Sequence, residues 1–181
     1  IRCFWALDRN LAYSRHYPAI HWLDSYSEYQ DELELWYEKN VGDKFLKYRE
    51  RFVAILQEEN KLMEIVKLIG SDVLPDGQRL DIEIAKVIRV GYLQQNAFHE
   101  DDTYVPLAKQ YRMMEVILYL YDTARKLVTK NIPLSRIRET GIFEDLIGIK
   151  YHVDNKNLDK FDEYIQKIDQ IYKDLMREYD E

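Results

Sequence analysis

From Asp43 to Ile69 the chain runs without a single glycine or proline, and Phe45, Tyr48, Phe52, Ile55, Leu62, Val66 and Ile69 fall on one stripe at helical spacing. At 1.5 Å per residue such a helix is roughly 40 Å long, so it needs neighbours of comparable length to cover its apolar face. Asp43 is placed to cap its start and Gly70 to end it. Glu59 interrupts the stripe. The rest of the chain supplies the partners. A helix to about Gln94 carries Leu80, Ile84, Val87, Ile88 and Gly91 on its inner side. Another, over about Leu107 to Lys130, carries Tyr111, Met114, Ile117, Leu118, Tyr121, Ala124 and Val128. Leu158, Phe161, Ile165, Ile168, Tyr172, Leu175 and Tyr179 alternate in steps of three and four, a heptad seam.

Shorter pieces frame these. The spacing predicts amphipathic helices over Ile1–His16 and Glu28–Asn40, separated by the break at Pro18. Asn96 to Pro106 reads as a non-helical linker, and Pro133, Gly141 and Gly148 divide the chain after the third long helix. Six glycines and four prolines in 181 residues are too few to punctuate a sheet-rich fold. The expected fold class is all-α, a helical bundle with a long helical hairpin.

Charge and chemistry narrow the function. Lys plus Arg is 26 and Asp plus Glu 33, and 26 − 33 gives a net charge of −7. That balance argues against nucleic-acid binding and against docking on an anionic membrane surface. No apolar run approaches the roughly 20 residues needed to span a bilayer. Cys3 is the lone cysteine, which rules out an internal disulfide and fits a reducing, cytoplasmic setting. His16, His21, His99 and His152 have no Glu or second His at helical metal-ligand spacing, and no phosphate loop or nucleophile elbow occurs. The expectation is therefore no catalytic residue and no metal site. The start at Ile1 suggests a piece of a longer polypeptide.

Three segments stand out. Phe4 through Tyr29 is an aromatic-rich corner. Asp72, Val73, Leu74, Pro75 and Asp76 form the turn between two long helices. Gln95, Asn96, Ala97 and Phe98 form an amide-rich helix end followed by a small residue and an aromatic. Amides offer donors and acceptors to a flat heterocycle, and a ring stacks on a base without hydrogen bonds. The competing reading tucks Phe98 into the core, and its exposure decides between them.

Taken together these segments resemble a known family. Phe4-Trp5-Ala6-Leu7-Asp8, Arg15-His16-Tyr17-Pro18-Ala19-Ile20-His21-Trp22-Leu23, Asp72-Val73-Leu74-Pro75 and Leu93-Gln94-Gln95-Asn96-Ala97-Phe98-His99-Glu100 are similar, in order and spacing, to the C-terminal part of the catalytic A subunit of archaeal and vacuolar-type rotary ATPases. The resemblance extends to about residue 112 and beyond that is only one of helical character. It implies that residues 1–27 are the end of a nucleotide-binding domain with its connecting corner, and that residues 28–181 are a helical domain. It further implies that the full-length protein uses ATP or ADP with magnesium. This part alone would hold neither, and would be inactive without the phosphate loop. The implied partners are B subunits in an alternating ring, a central stalk and a peripheral stalk, coupled to proton or sodium transport, on the cytoplasmic face of a membrane.

By the same resemblance Phe98 contacts adenine, with Gln95, Asn96 and Ala97 shaping that end of the pocket. Asp72 to Asp76 faces the stalk. Gly77 and Gln78 stand where acidic residues are common in the family, so a steric contact through Val73, Leu74 and Pro75 is expected rather than a charge-driven push. Tyr17 and His21 replace a more usual Phe and Asn, and His21 offers that corner a pH-sensitive group. The alternative is a non-enzymatic helical interaction module, docking through the Leu158–Tyr179 seam. A free apolar stripe on the last helix would favour it.

Overall fold

The structure, a computed structural model, describes residues 1–180. It is helical apart from one two-stranded antiparallel ribbon among the described residues. In chain order the elements are β1 (Cys3–Phe4), α1 (Arg9–Tyr13), β2 (Tyr26–Ser27), α2 (Gln30–Asn40), α3 (Phe45–Ile69), α4 (Asp76–Lys86), α5 (Glu100–Thr103), α6 (Leu107–Thr129), α7 (Leu134–Glu139), α8 (Ile142–Ile147), α9 (Ile149–His152) and α10 (Lys160–Asp180). A single 3-10 turn, Ser71–Val73, precedes α4, and a π-helical stretch, Val87–Leu93, continues it.

The N-terminal segment departs from the expected helix. Cys3 pairs with Ser27 and Phe4 with Tyr26, while His21 N–H donates to Ala6 O at 2.7 Å and Asp8 N–H to Ala19 O at 2.9 Å. These groups are bonded across the corner, so only the short α1 forms. Asp8 caps it, accepting from Leu11 N–H at 2.8 Å.

The two halves of the hairpin, α3 and the α4–π rod, pack on each other and on α6. Phe52, Ile55, Leu56, Leu80, Ile84, Ile88, Met114 and Ile117 fill the space between them. The Glu59 that breaks the α3 stripe is itself buried, its carboxylate accepting from Arg89 Nε at 3.0 Å and Nη2 at 2.7 Å. A charge at a core position is tolerable when it is paired this way. Asp43 does not cap α3. It accepts from the Tyr111 hydroxyl at 3.3 Å, because the Tyr111 ring lies against Gly42, where a Cβ would stand 2.5 Å from it.

Most of the heptad seam packs against the bundle. Phe161, Ile168 and Leu175 are buried, and α10 lies along α6. Among the described residues of α10 the apolar seam is covered over most of its length, with Tyr179 exposed at its end. The end of α3 behaves in the opposite way: Ile65, Leu68 and Ile69 are exposed where the hairpin projects.

Candidate functional site

The π-helical stretch ends at Leu93, and Gln94 turns into extended backbone with ψ 134°. The chain then loops over Gln95–His99 before α5 begins, with the His99 ring accepting from Asp101 N–H at 3.2 Å. Every turn of this loop is fastened. Gln95 N–H donates to Tyr17 O at 2.7 Å, joining the loop to the aromatic corner. Asn96 N–H donates to Asp102 Oδ2 at 2.6 Å, Phe98 N–H to Asn96 Oδ1 at 3.0 Å, and the Thr103 hydroxyl to Ala97 O at 2.9 Å.

Phe98 itself is 100% exposed. Its ring stands on the outside of a loop whose backbone is held by hydrogen bonds. The reading with Phe98 in the core is thereby excluded. Asn96 spends its side-chain oxygen bracing the loop, so only part of the expected amide array faces outward. Gln95, with Pro18, Tyr92, Gln110 and Lys150, lines a cavity of about 250 Å³ beneath the loop. Gln95, Asn96, Ala97 and Phe98 are thus brought together on one loop, with Phe98 at its outer face.

The base of the loop rests on Asp102, just after the motif, and on Lys150 and Tyr151 from far along the chain. Asp102 is buried, and Lys150 Nζ lies 3.0 Å from its Oδ1 and donates to its Oδ2 at 3.3 Å. The Tyr151 hydroxyl donates to the same Oδ2 at 3.2 Å, and Lys150 also donates to Gln94 O. Burial pushes the Lys150 ammonium below the ordinary lysine range, against the pull of Asp102. Burial likewise pushes the Tyr151 phenol up, with Asp102 adding to it. A signal existed for both buried lysines. Lys109 lies four residues before Met113, and Lys150 four after Leu146, each in line with buried apolar positions.

At the other end of the rod, the five tip residues do not share a surface. Asp72, Val73 and Pro75 are exposed, whereas Leu74 is buried. Asp76 opens α4 and accepts from Leu134 N–H at 2.8 Å, with Arg79 3.4 Å from its Oδ1. Gly70 makes the turn with φ 85° and ψ 163°, a conformation open essentially to glycine alone. Val73 at 62% exposure joins Leu68 at 84% in an apolar end to the hairpin. Leu68 was not expected there, since it lies off the helical stripe.

In the corner, the His21 ring stacks on Trp22 with centroids 5.7 Å apart, and its Nδ1 is 3.1 Å from Asp24 Oδ2. Trp5, Trp22, Tyr37, Phe52, Tyr92 and Arg49 help to line a cavity of about 410 Å³ between the corner and the bundle. Among the described residues no group of three or more His, Cys, Asp or Glu side chains is placed to hold a metal ion. No described helix is long and apolar enough to cross a membrane.

Comparison with known proteins gives a consistent set of relatives. The family model for the C-terminal domain of V and A type ATP synthase matches residues 34–138. The V-type ATP synthase alpha chain of Halothermothrix orenii is 45% identical over 181 residues, all of this chain and 31% of that protein. The V-type ATP synthase alpha chain 2 of Clostridium tetani is 49% identical over 179 residues, 99% of this chain and 30% of the relative. The V-type ATP synthase alpha chain of Clostridioides difficile is 43% identical over 178 residues, 98% and 30% respectively. The chain thus spans a little under a third of the length of these relatives.

Proposed function

The chain belongs to the family of C-terminal domains of V- and A-type ATP synthases, and from that premise we propose that it is the coupling arm of the catalytic chain of such an enzyme. One end of the arm touches the nucleotide base and the other touches a rotating stalk. In this reading ATP or ADP, with magnesium, is held at its phosphates by an upstream nucleotide-binding domain. Alternating B subunits complete the ring. A central stalk turns within it and a peripheral stalk holds it, coupling nucleotide turnover to proton or sodium transport at the cytoplasmic face of a membrane. Residues 1–27 are the end of the nucleotide-binding domain and its corner, and residues 28–181 the helical domain. The closing of the β1–β2 ribbon at Ser27, just before α2, supports that division.

The observation that carries the proposal is Phe98. An aromatic ring with no apolar cover of its own, on a loop held rigid by hydrogen bonds, is poised to stack on a flat partner with little ordering cost. Stacking holds a base in place while the chemistry happens at the phosphates, so Phe98 contributes to binding and not to bond breaking. The rod from Asp76 to Leu93 is about 25 Å long at helical rise and leads straight from the tip into this loop. A stiff packed hairpin of that kind converts closure at the nucleotide end into displacement at the tip.

The test is nucleotide titration of the full-length protein in its assembled complex. Phe98→Ala is expected to weaken MgATP binding by about 5- to 150-fold, the equivalent of about 1–3 kcal/mol of stacking, with a much smaller effect on the chemical step. Unchanged affinity would overturn the reading.

A further inference from the structure

Lys109 and Lys150 are the two buried lysines among the described residues, 0% and 1% exposed. Placing an ammonium in a protein interior is costly unless its partners are well arranged. The partners here converge on the roots of one loop. Lys150 binds Gln94 O and the Asp102 carboxylate, which in turn holds Asn96 N–H. Lys109 Nζ donates to Lys150 O at 2.8 Å and to Asn155 Oδ1 at 2.9 Å. Asn155 then donates from its N–H to Asp101 Oδ1 at 3.1 Å and from Nδ2 to Tyr104 O at 3.0 Å. Both ends of the segment carrying Phe98 are therefore tied to the α9 region through one buried polar cluster.

A pair of apolar residues of similar volume would stabilise such a site as well or better. It could not grip a carbonyl at Gln94 and an amide at Asn96. The cluster is thus better suited to fixing geometry than to adding stability. We propose that Lys150 is a positioning residue for the nucleotide base: with Asp102 it fixes the loop that presents Phe98, and Lys109 fixes Lys150 in turn. The proposal rests on the reading of Phe98 as the base-stacking side chain. Lys150, Tyr151 and Asn155 lie beyond residues 34–138, the part matched by the family model.

Three variants of the full-length protein, each assembled in its complex, test it: K150M/D102L, Y151F and F98A. The double variant replaces the ion pair by apolar residues so that neither member of the pair is left buried without the other. Y151F removes only the hydroxyl on Asp102 Oδ2. Deuterium uptake of peptides covering residues 94–104, and KM and kcat for MgATP, are measured in each. K150M/D102L is expected to speed exchange of this segment by about tenfold while α6 is unaffected. Its KM is expected to rise about tenfold with kcat within about twofold of the parent. Y151F is expected to move both readouts the same way by less.

Unaltered exchange in both variants would overturn the proposal. So would faster exchange with an unchanged KM when F98A does raise KM, or a fall in kcat with KM unchanged. If K150M/D102L fails to fold, Y151F decides: a shift in both readouts supports the proposal and no shift overturns it. If F98A leaves KM unchanged, the base-stacking reading itself fails. The exchange data then show separately whether Lys150 holds the loop.

Discussion

Phe98 contributes nothing to the core, since its ring is fully exposed, and its removal is accordingly expected to leave stability within about 0.5 kcal/mol of the parent in urea denaturation. Loss of affinity without loss of stability is the signature of a side chain kept for contact with something else. At this scale the sequence was informative where chemistry is local. Gln95-Asn96-Ala97-Phe98 could be singled out from residue types alone, because a run of amides followed by an aromatic is unusual at a helix end. Asp102, Lys109, Lys150 and Asn155 could not be assembled from the sequence, because they meet only when α5, α6 and α9 come together. Lys109 and Lys150 in line with apolar positions were the signs available, and the two lie more than forty residues apart.

Among the elements, the π-helical stretch crosses α8 backbone to backbone at Gly91. A Cβ on Gly91 would stand 2.9 Å from Leu146 O and 3.1 Å from Ile147 Cα, both backbone atoms that cannot rotate away. Gly91→Ala is therefore expected to destabilise by about 1–3 kcal/mol, although alanine is the better helix former. A thermal melt matching or exceeding that of the parent would show that the crossing has room to spare. The hairpin tip gives a second prediction. Leu68 and Val73 are exposed apolar side chains there, and of Asp72 and Asp76 only Asp72 is exposed. Asp72→Asn should leave torque of the assembled motor nearly intact, whereas Leu68→Asp with Val73→Asp should reduce it severalfold. Single-molecule rotation distinguishes these outcomes, and loss of torque on neutralising Asp72 would favour a charge-driven contact.

Long elements were legible because periodicity accumulates over many turns: α3, α6 and α10 lie where their stripes put them. The N-terminal helix failed because Phe4, Leu7 and Leu11 satisfy a helical pattern while backbone groups of this segment find partners across the corner. The π-helical widening after Lys86 left no trace in the apolar pattern, since Val87, Ile88 and Gly91 are buried in either winding.

For the whole molecule, the many tyrosines set the response to alkali. Burial raises the phenol of Tyr48, Tyr92, Tyr121, Tyr151 and Tyr164. It pushes Tyr111 up to about 12, and the hydrogen bond to Asp169 raises Tyr119. Folding thus retains protons that the unfolded chain releases near pH 10, so stability falls as pH rises from there through the folded values. Lys109 and Lys150, lowered chiefly by burial, act in the opposite sense, but only up to their ordinary value of 10.5. The urea midpoint is therefore expected to decline steadily between about pH 10.5 and 12. A flat profile there would contradict the buried-phenol account.

One continuous helical run, Asp76–Leu93, joins the loop that carries Phe98 to the hairpin tip, and in the proposed function it acts as a lever between them. The central claim, that Phe98 meets the base of the nucleotide, is tested most directly by photolabelling the assembled complex with an azidoadenine nucleotide, which reacts where the base sits. The account predicts label on the peptide containing Gln95–Phe98, and loss of that label on competition with ATP. Label confined to peptides elsewhere in the chain, or label on this loop that ATP does not displace, would contradict it.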